Sequence, residues 1–140
     1  MVDMKNVVQQ LNTSWYSAIV KKFPKLKSNV SVMEDNEKTL KLPAARIFPM
    51  GNPSLESAMD LDGAENAVMF TVQVEFYEGA STWSTLYDYD KTSHEFFEHE
   101  GYERIFGLEF ERKSNVVRSI CRYRKTITAE ETSSALTVKD

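Results

Sequence analysis

The sequence predicts an α+β fold in one domain, with two helices packed on a largely antiparallel sheet. Three observations predict it. Apolar residues recur at helical spacing over the first 23 positions. Val68, Phe70, Val72, Val74 and Phe76 alternate with Met69, Thr71, Gln73, Glu75 and Tyr77, the pattern of a strand buried on at least one face. A second helical half-wheel, from Ser81 to Glu100, leads into two strand-like runs. A chain of 140 residues fits one domain. At that size it buries roughly 70% of its unfolded surface, enough for a core without staples.

The first helix is read from Met4, Val7, Val8, Leu11, Trp15, Ile19 and Phe23, which share one stripe. Asp3 is its N-cap. Pro24 ends it, because the residue before proline is pushed out of the helical region. Lys5, Gln9, Asn12 and Lys21 occupy the opposite face, which is not basic enough for a membrane-surface helix. Asn29–Met33 and Ala44–Phe48 read as short strands with a charged loop, Glu34–Lys41, between them. Asp62-Gly63 signals a hairpin with Ser54–Asp60 as one arm and Ala67–Tyr77 as the other. A short helix over Leu55–Met59 is the competing reading.

In the second helix Trp83, Leu86, Tyr87, Tyr89, Phe96 and Phe97 fill the apolar half, and Gly101 sits where a left-handed C-cap is wanted. Strands are expected near Glu103–Arg112 and Val116–Thr128. The chain thus divides into a domain over 1–128 and a polar arm over 129–140, expected to trail off.

Composition narrows the function. Seventeen basic and 21 acidic residues give a net charge of −4, which argues against nucleic acid as the main partner. One cysteine, Cys121, excludes an intramolecular disulfide. No stretch approaches the ~20 apolar residues that span a bilayer, and the N-terminus has no signal-peptide pattern.

Catalytic patterns are sparse. His94 and His99 resemble a zinc-protease pair but are five apart, so a helix turns them about 140° from one another and they cannot share one metal. Asp90 and His94, four apart, can hydrogen-bond as an acid–base dyad or as a satisfied polar pair. Asp60, Asp62, Gly63 and Glu65 suggest a calcium loop, but the register is wrong and a tight turn explains them. Catalytic, cofactor-binding and metal residues are therefore all expected to be absent. Arg118, Arg122 and Arg124 share one face of the last strand, with three readings: a solvated face, carboxylate partners on a neighbouring subunit, or DNA phosphates.

The layout resembles the tail-completion or tail-terminator proteins of long-tailed bacteriophages. The likeness rests on Lys22-Phe23-Pro24, Ile47-Phe48-Pro49, and Asp60-Leu61-Asp62-Gly63 running into Thr71–Tyr77. Glu100-Gly101-Tyr102-Glu103-Arg104 and Arg122-Tyr123 complete it over about residues 1–128. Asn52–Met59 and the tail after Thr128 fall outside the likeness.

The resemblance implies a homo-oligomeric ring, typically a hexamer, with no catalytic residue and no cofactor. Such a ring caps the tail tube and joins tail to head. Its partners would be the tail tube protein and a head-completion protein, with DNA passing through the lumen. Its place would be the head–tail junction of a virion assembled in the bacterial cytoplasm. The alternatives are another phage part (a head-completion adaptor, a tail-tube subunit or a component of a contractile particle) or, in a different class, a small enzyme or ligand-binding domain using Asp90, His94, Trp83, Tyr87 and Tyr89. The subunit interface is expected at the hairpin residues Leu55, Met59, Leu61, Asp62 and Gly63, with Arg118, Arg122 and Arg124 as its polar rim.

Overall fold

The computed structural model describes residues 3–32, 41–51 and 67–128. Helix α1 spans Met4–Lys22, with the Asp3 side chain accepting from the Asn6 amide at 3.1 Å. Val7, Leu11, Trp15 and Ile19 are its buried residues, and Met4, Val8 and Phe23 pack half-buried around them. A single 3₁₀ turn, Pro24–Leu26, follows at the proline. Strand β1 is only Val30–Ser31, shorter than the expected Asn29–Met33, and β2 is Ala44–Pro49. Strand β3 is Ala67–Gly79. A 3₁₀ turn, Ala80–Thr82, leads to helix α2, Thr85–His99. Strands β4, Glu103–Lys113, and β5, Val116–Thr128, complete the described residues. The expected loop over 34–41, apart from Lys41, and the expected hairpin arm and turn over 54–66 lie outside the described residues, as does the arm over 129–140.

These elements make one α+β domain around a five-stranded sheet in the order β1-β2-β3-β5-β4. Among the described residues only β1 and β2 run parallel; the other pairs are antiparallel. The long β3–β5 pairing, in register from Ala67↔Thr128 to Gly79↔Val116, is the spine. Strand β3 is therefore central. It is flanked by β5 along its length and by β2 from Val72 to Tyr77.

Period two sorts β3 into two faces. Val68, Phe70, Val72, Val74 and Phe76 face the helices and join Trp15, Leu86, Tyr89 and Phe97 in the core. Ring contacts lock the layers: Trp15 to Phe76 at 5.7 Å, Tyr89 to Phe76 at 5.3 Å, and Phe97 stacked on Tyr123 at 4.1 Å.

The end of α2 shows why sequence alone found it. Gly101 takes φ +85°, the Gly101 amide donates to Glu98 O at 3.1 Å, and the Tyr102 amide donates to Phe97 O at 2.9 Å. Tyr102 also meets Phe97 ring to ring at 5.1 Å, the apolar clasp that goes with this cap.

The apolar half of α2 differs from expectation. Its buried residues are Leu86, Tyr89, Ser93 and Phe97. Trp83 and Tyr87 are exposed instead, and Phe96 is half-buried. Trp83 precedes the first helical residue, so the helical wheel does not apply to it. Tyr87 lies about 100° around the helix from Leu86 and so leaves the core stripe.

Strand β4 bends in the middle. Its register against β5 shifts between Arg104 and Phe106 and again between Phe106 and Glu109. Gly107 sits in that stretch with φ +94°, and a Cβ there would lie 2.3 Å from Ile120 O. The bend thus brings the β4 backbone closer to β5 than any side chain allows.

Candidate functional site

Three places gather chemistry-bearing or unusually exposed side chains. The first lies where α2 crosses β4 and β5. Asp90 and His94 do not form the expected pair there, because each takes another partner. Arg104 Nη2 donates to Asp90 Oδ1 and to the Tyr123 hydroxyl, both at 2.9 Å, and Cys121 Sγ donates to Asp90 at 3.3 Å. His94 Nδ1 lies 3.2 Å from the Tyr123 hydroxyl, and His94 Nε2 lies 3.5 Å from Glu98. A guanidinium is the stronger partner for a carboxylate, so Arg104 captures Asp90 and the dyad does not form. His99 is exposed beside Glu100. Among the described residues, no group of three or more His, Cys, Asp or Glu side chains converges as a metal site would require.

The electrostatics of this cluster hold its protons in place. Burial, followed by the Asp90 carboxylate, pushes the Cys121 thiol up to about 12 against the opposing pull of Arg104. Burial raises the Tyr123 hydroxyl as well. A neutral, 4% exposed thiol is a poor nucleophile, so the arrangement is a hydrogen-bonded wedge under α2.

Iodoacetamide at pH 8 should therefore modify native Cys121 slower than a free thiol by roughly a thousandfold, the ratio of their thiolate fractions. Urea should abolish that protection. The unfolded thiol ionises from about pH 8.5, whereas the folded thiol stays protonated to about 12. The stability held by this group is whole below the first value and is lost as pH rises toward the second. Rapid native labelling would show an open site.

The second place is the sheet face opposite the helices. The register sets Arg46 on β2 opposite Glu75 on β3, Gln73 opposite Arg122, and Tyr77 opposite Arg118. Glu75, 2% exposed, accepts from Gln73 Nε2 at 2.5 Å, from the Tyr77 hydroxyl and from Arg118 Nη1 at 3.1 Å. Arg46 approaches it at 4.0 Å and lies over the Tyr77 ring. Burial and the carboxylate together raise the Tyr77 hydroxyl.

The arginine stripe is engaged within its own chain. Arg118 also donates to Glu111 at 2.6 Å, and Arg122 donates to Gln73 at 2.8 Å while covering Phe106. Arg124 pairs with Glu103 at 2.9 Å. The remaining proposed interface residues, Leu55, Met59, Leu61, Asp62 and Gly63, lie outside the described residues.

The third place was found in part by sequence reasoning, which grouped Trp83 and Tyr87 but missed Phe110. Trp83, Tyr87 and Phe110 form an exposed triangle of rings with centroids 5.2–5.8 Å apart. Tyr89, expected to group with Trp83 and Tyr87, is instead fully buried and donates its hydroxyl to Glu78. Eight large hydrophobic side chains are exposed among the described residues, and five of them, Trp83, Tyr87, Ile105, Phe106 and Phe110, lie on β4 or beside it. Strand β4 is the outermost strand on its side, and nine of its eleven residues are exposed. Among the described residues no strand pairs with the outer side of β4, and exposed aromatics on an edge strand have the composition that protein contacts favour. The signal available in sequence was the density of large apolar side chains at Ile105, Phe106 and Phe110, but alternation alone could not say which side they faced.

An open groove of about 330 Å³ runs between α1 and the end of β2, lined by Met4, Val8, Pro49 and Phe70 with Lys5 and Gln9. It gathers no acid–base pair. No helix among the described residues is long and apolar enough to cross a membrane. Comparison with known families finds no matching family model, and comparison with curated proteins finds no significant match.

Proposed function

We propose that this chain is a structural assembly subunit that forms a closed ring. In this reading the ring terminates the tail tube of a long-tailed phage and joins it to the head. Its partners are further copies of itself, the tail tube protein and a head-completion protein, with DNA passing through the lumen. The observation that carries the assembly reading is the exposed aromatic edge at β4, which is built like the centre of a protein–protein contact. The place in a phage neck rests on the resemblance of residues 1–128 to tail terminators. The ionisable clusters described above fit a non-catalytic role, since their charges engage one another and stabilise the fold.

The test is the mass of the purified chain by sedimentation and its shape by electron microscopy. A single species at a small multiple of 16.1 kDa, seen as a ring, is the expected result. Rings that bind the ends of isolated tail tubes would fix the second half of the reading. A chain that stays monomeric up to ~100 µM and leaves tube ends bare would overturn it. The hairpin contact is tested in the same assay: Met59→Asp should weaken the ring and spare the fold, because an interfacial charge has no partner.

A further inference from the structure

We infer that Arg46 sets which way β2 faces and where it pairs: its charge selects one register against Glu75 from several that the apolar side chains of β2 would accept. The composition of the strand carries this. It reads Ala44, Ala45, Arg46, Ile47, Phe48 and Pro49, and Arg46 is its one polar side chain. Ala45 and Ile47 belong to the helix-side core, while Ala44 and Phe48 are buried on the other face. Each face thus holds a small and a large apolar residue, so hydrophobicity alone does not sort them.

The connections do not sort them either. Residues 32–43 join β1 to β2 and residues 50–66 join β2 to β3, both far longer than the two-residue turns that fix a hairpin's register. Strand β1 adds only the pairs Val30↔Ala45 and Ser31↔Arg46.

Arg46 breaks the tie. In the observed register it lies directly opposite Glu75. Glu75 divides its two oxygens between the flanking strands: Oε2 accepts from Arg118 of β5 at 3.1 Å, and Oε1 faces Arg46 Nη1 at 4.0 Å. A slip of one residue would turn the guanidinium into the core beside Val74 or Phe76. A slip of two would set Ile47 on Val72 or Phe76, an apolar pair like the present one with Val74, but would carry Arg46 roughly 7 Å along the sheet, opposite Gln73 or Tyr77. Burial makes that difference count, because the Arg46 side chain is 4% exposed and a charge there needs its partner. The β3–β5 ladder does not depend on one residue in this way. It runs from Ala67↔Thr128 to Gly79↔Val116 and has its own cross-strand bonds from Arg118 and Arg122.

The experiment compares Arg46→Met and Arg46→Lys with wild type in the full-length chain, labelled at the isoleucine δ1 methyls for NMR. Arg46→Met removes the charge and leaves Glu75 its bonds from Gln73, Tyr77 and Arg118, so no carboxylate is stranded. Wild type should give one Ile47 methyl signal. Arg46→Met should hold its urea midpoint at or above that of wild type and split the Ile47 signal. The second register should rise from below detection to roughly a tenth of the molecules or more. Ile127, in the β3–β5 ladder, should stay single. Arg46→Lys restores the charge and should restore the single Ile47 signal. A single Ile47 signal in folded Arg46→Met overturns the inference, and so does a splitting that extends to Ile127 or persists in Arg46→Lys. Should Arg46→Met misfold, Arg46→Gln takes its place: it keeps a polar group for the outer face, so the two-residue slip is expected to split Ile47, and a single signal overturns the inference.

Discussion

Trp15→Ala is expected to cost about 3–5 kcal/mol, a large part of the ~5–15 kcal/mol that holds a domain of this kind together. Trp15 is fully buried at the centre of α1, with its ring against Phe76 of β3. Its indole Nε1 donates to Ser93 Oγ of α2 at 3.0 Å. One side chain therefore ties both helices to each other and to the sheet. Truncation removes the apolar contact, opens a cavity and strips a buried serine hydroxyl of its donor. Trp15→Phe retains most of the apolar volume and loses only the hydrogen bond, so it should cost about 1–3 kcal/mol less than the alanine variant. Urea denaturation of both variants measures the difference. An unchanged midpoint for Trp15→Ala would mean that α1 does not dock through this residue.

The second large effect is expected at Glu75. Glu75→Ala leaves the Arg46 guanidinium, whose side chain is 4% exposed, without its carboxylate, and leaves the Tyr77 hydroxyl without its acceptor. Stranding a buried charge costs about 3–5 kcal/mol. Arg46 is already sparingly paired, because its Nε has no hydrogen-bond partner. The matching double variant, Arg46→Met with Glu75→Leu, should recover the part of the loss that comes from the stranded Arg46 charge, since a well-packed apolar pair replaces a buried ion pair at little cost. A double-mutant cycle by chemical denaturation reads the coupling. Additive losses would show that the two residues do not act as a pair, and a mild Glu75→Ala would show that water reaches Arg46.

The two sites also mark the limit of what the sequence discloses. Helix α1, its Asp3 cap, the Gly101 cap and the run Val116–Thr128 were legible because each is fixed by neighbours within a few residues. The stripe from Val7 to Ile19 and the alternation in β3 are local patterns too. Ser93 was not legible, since a serine becomes a core residue only when an indole 78 positions earlier reaches it. The same holds for Glu75, one of whose arginine partners, Arg118, lies 43 positions on, across a strand pair.

The Asp90–His94 pair failed for the mirror-image reason. Local spacing permitted it, and Arg104, fourteen positions away, took the carboxylate. Trp83 and Tyr87 looked like core because hydrophobicity is the same signal for a core and for a docking surface. Only the sheet order, which puts β4 at the rim, separates the two.

The bend at Gly107 bears on how an exposed edge strand avoids pairing with copies of itself. A long strand with exposed phenylalanine and isoleucine side chains can seed fibres, because identical flat edges can stack without end. The two register shifts around Gly107 break that flatness, so one copy of β4 cannot lie straight along another. The kink sits between Phe106 and Phe110 and holds the aromatic edge in a shape that a flat strand does not match. Growth by indiscriminate stacking is thereby discouraged. A glycine that no side chain can replace is thus a guard against amyloid as well as a point of close packing.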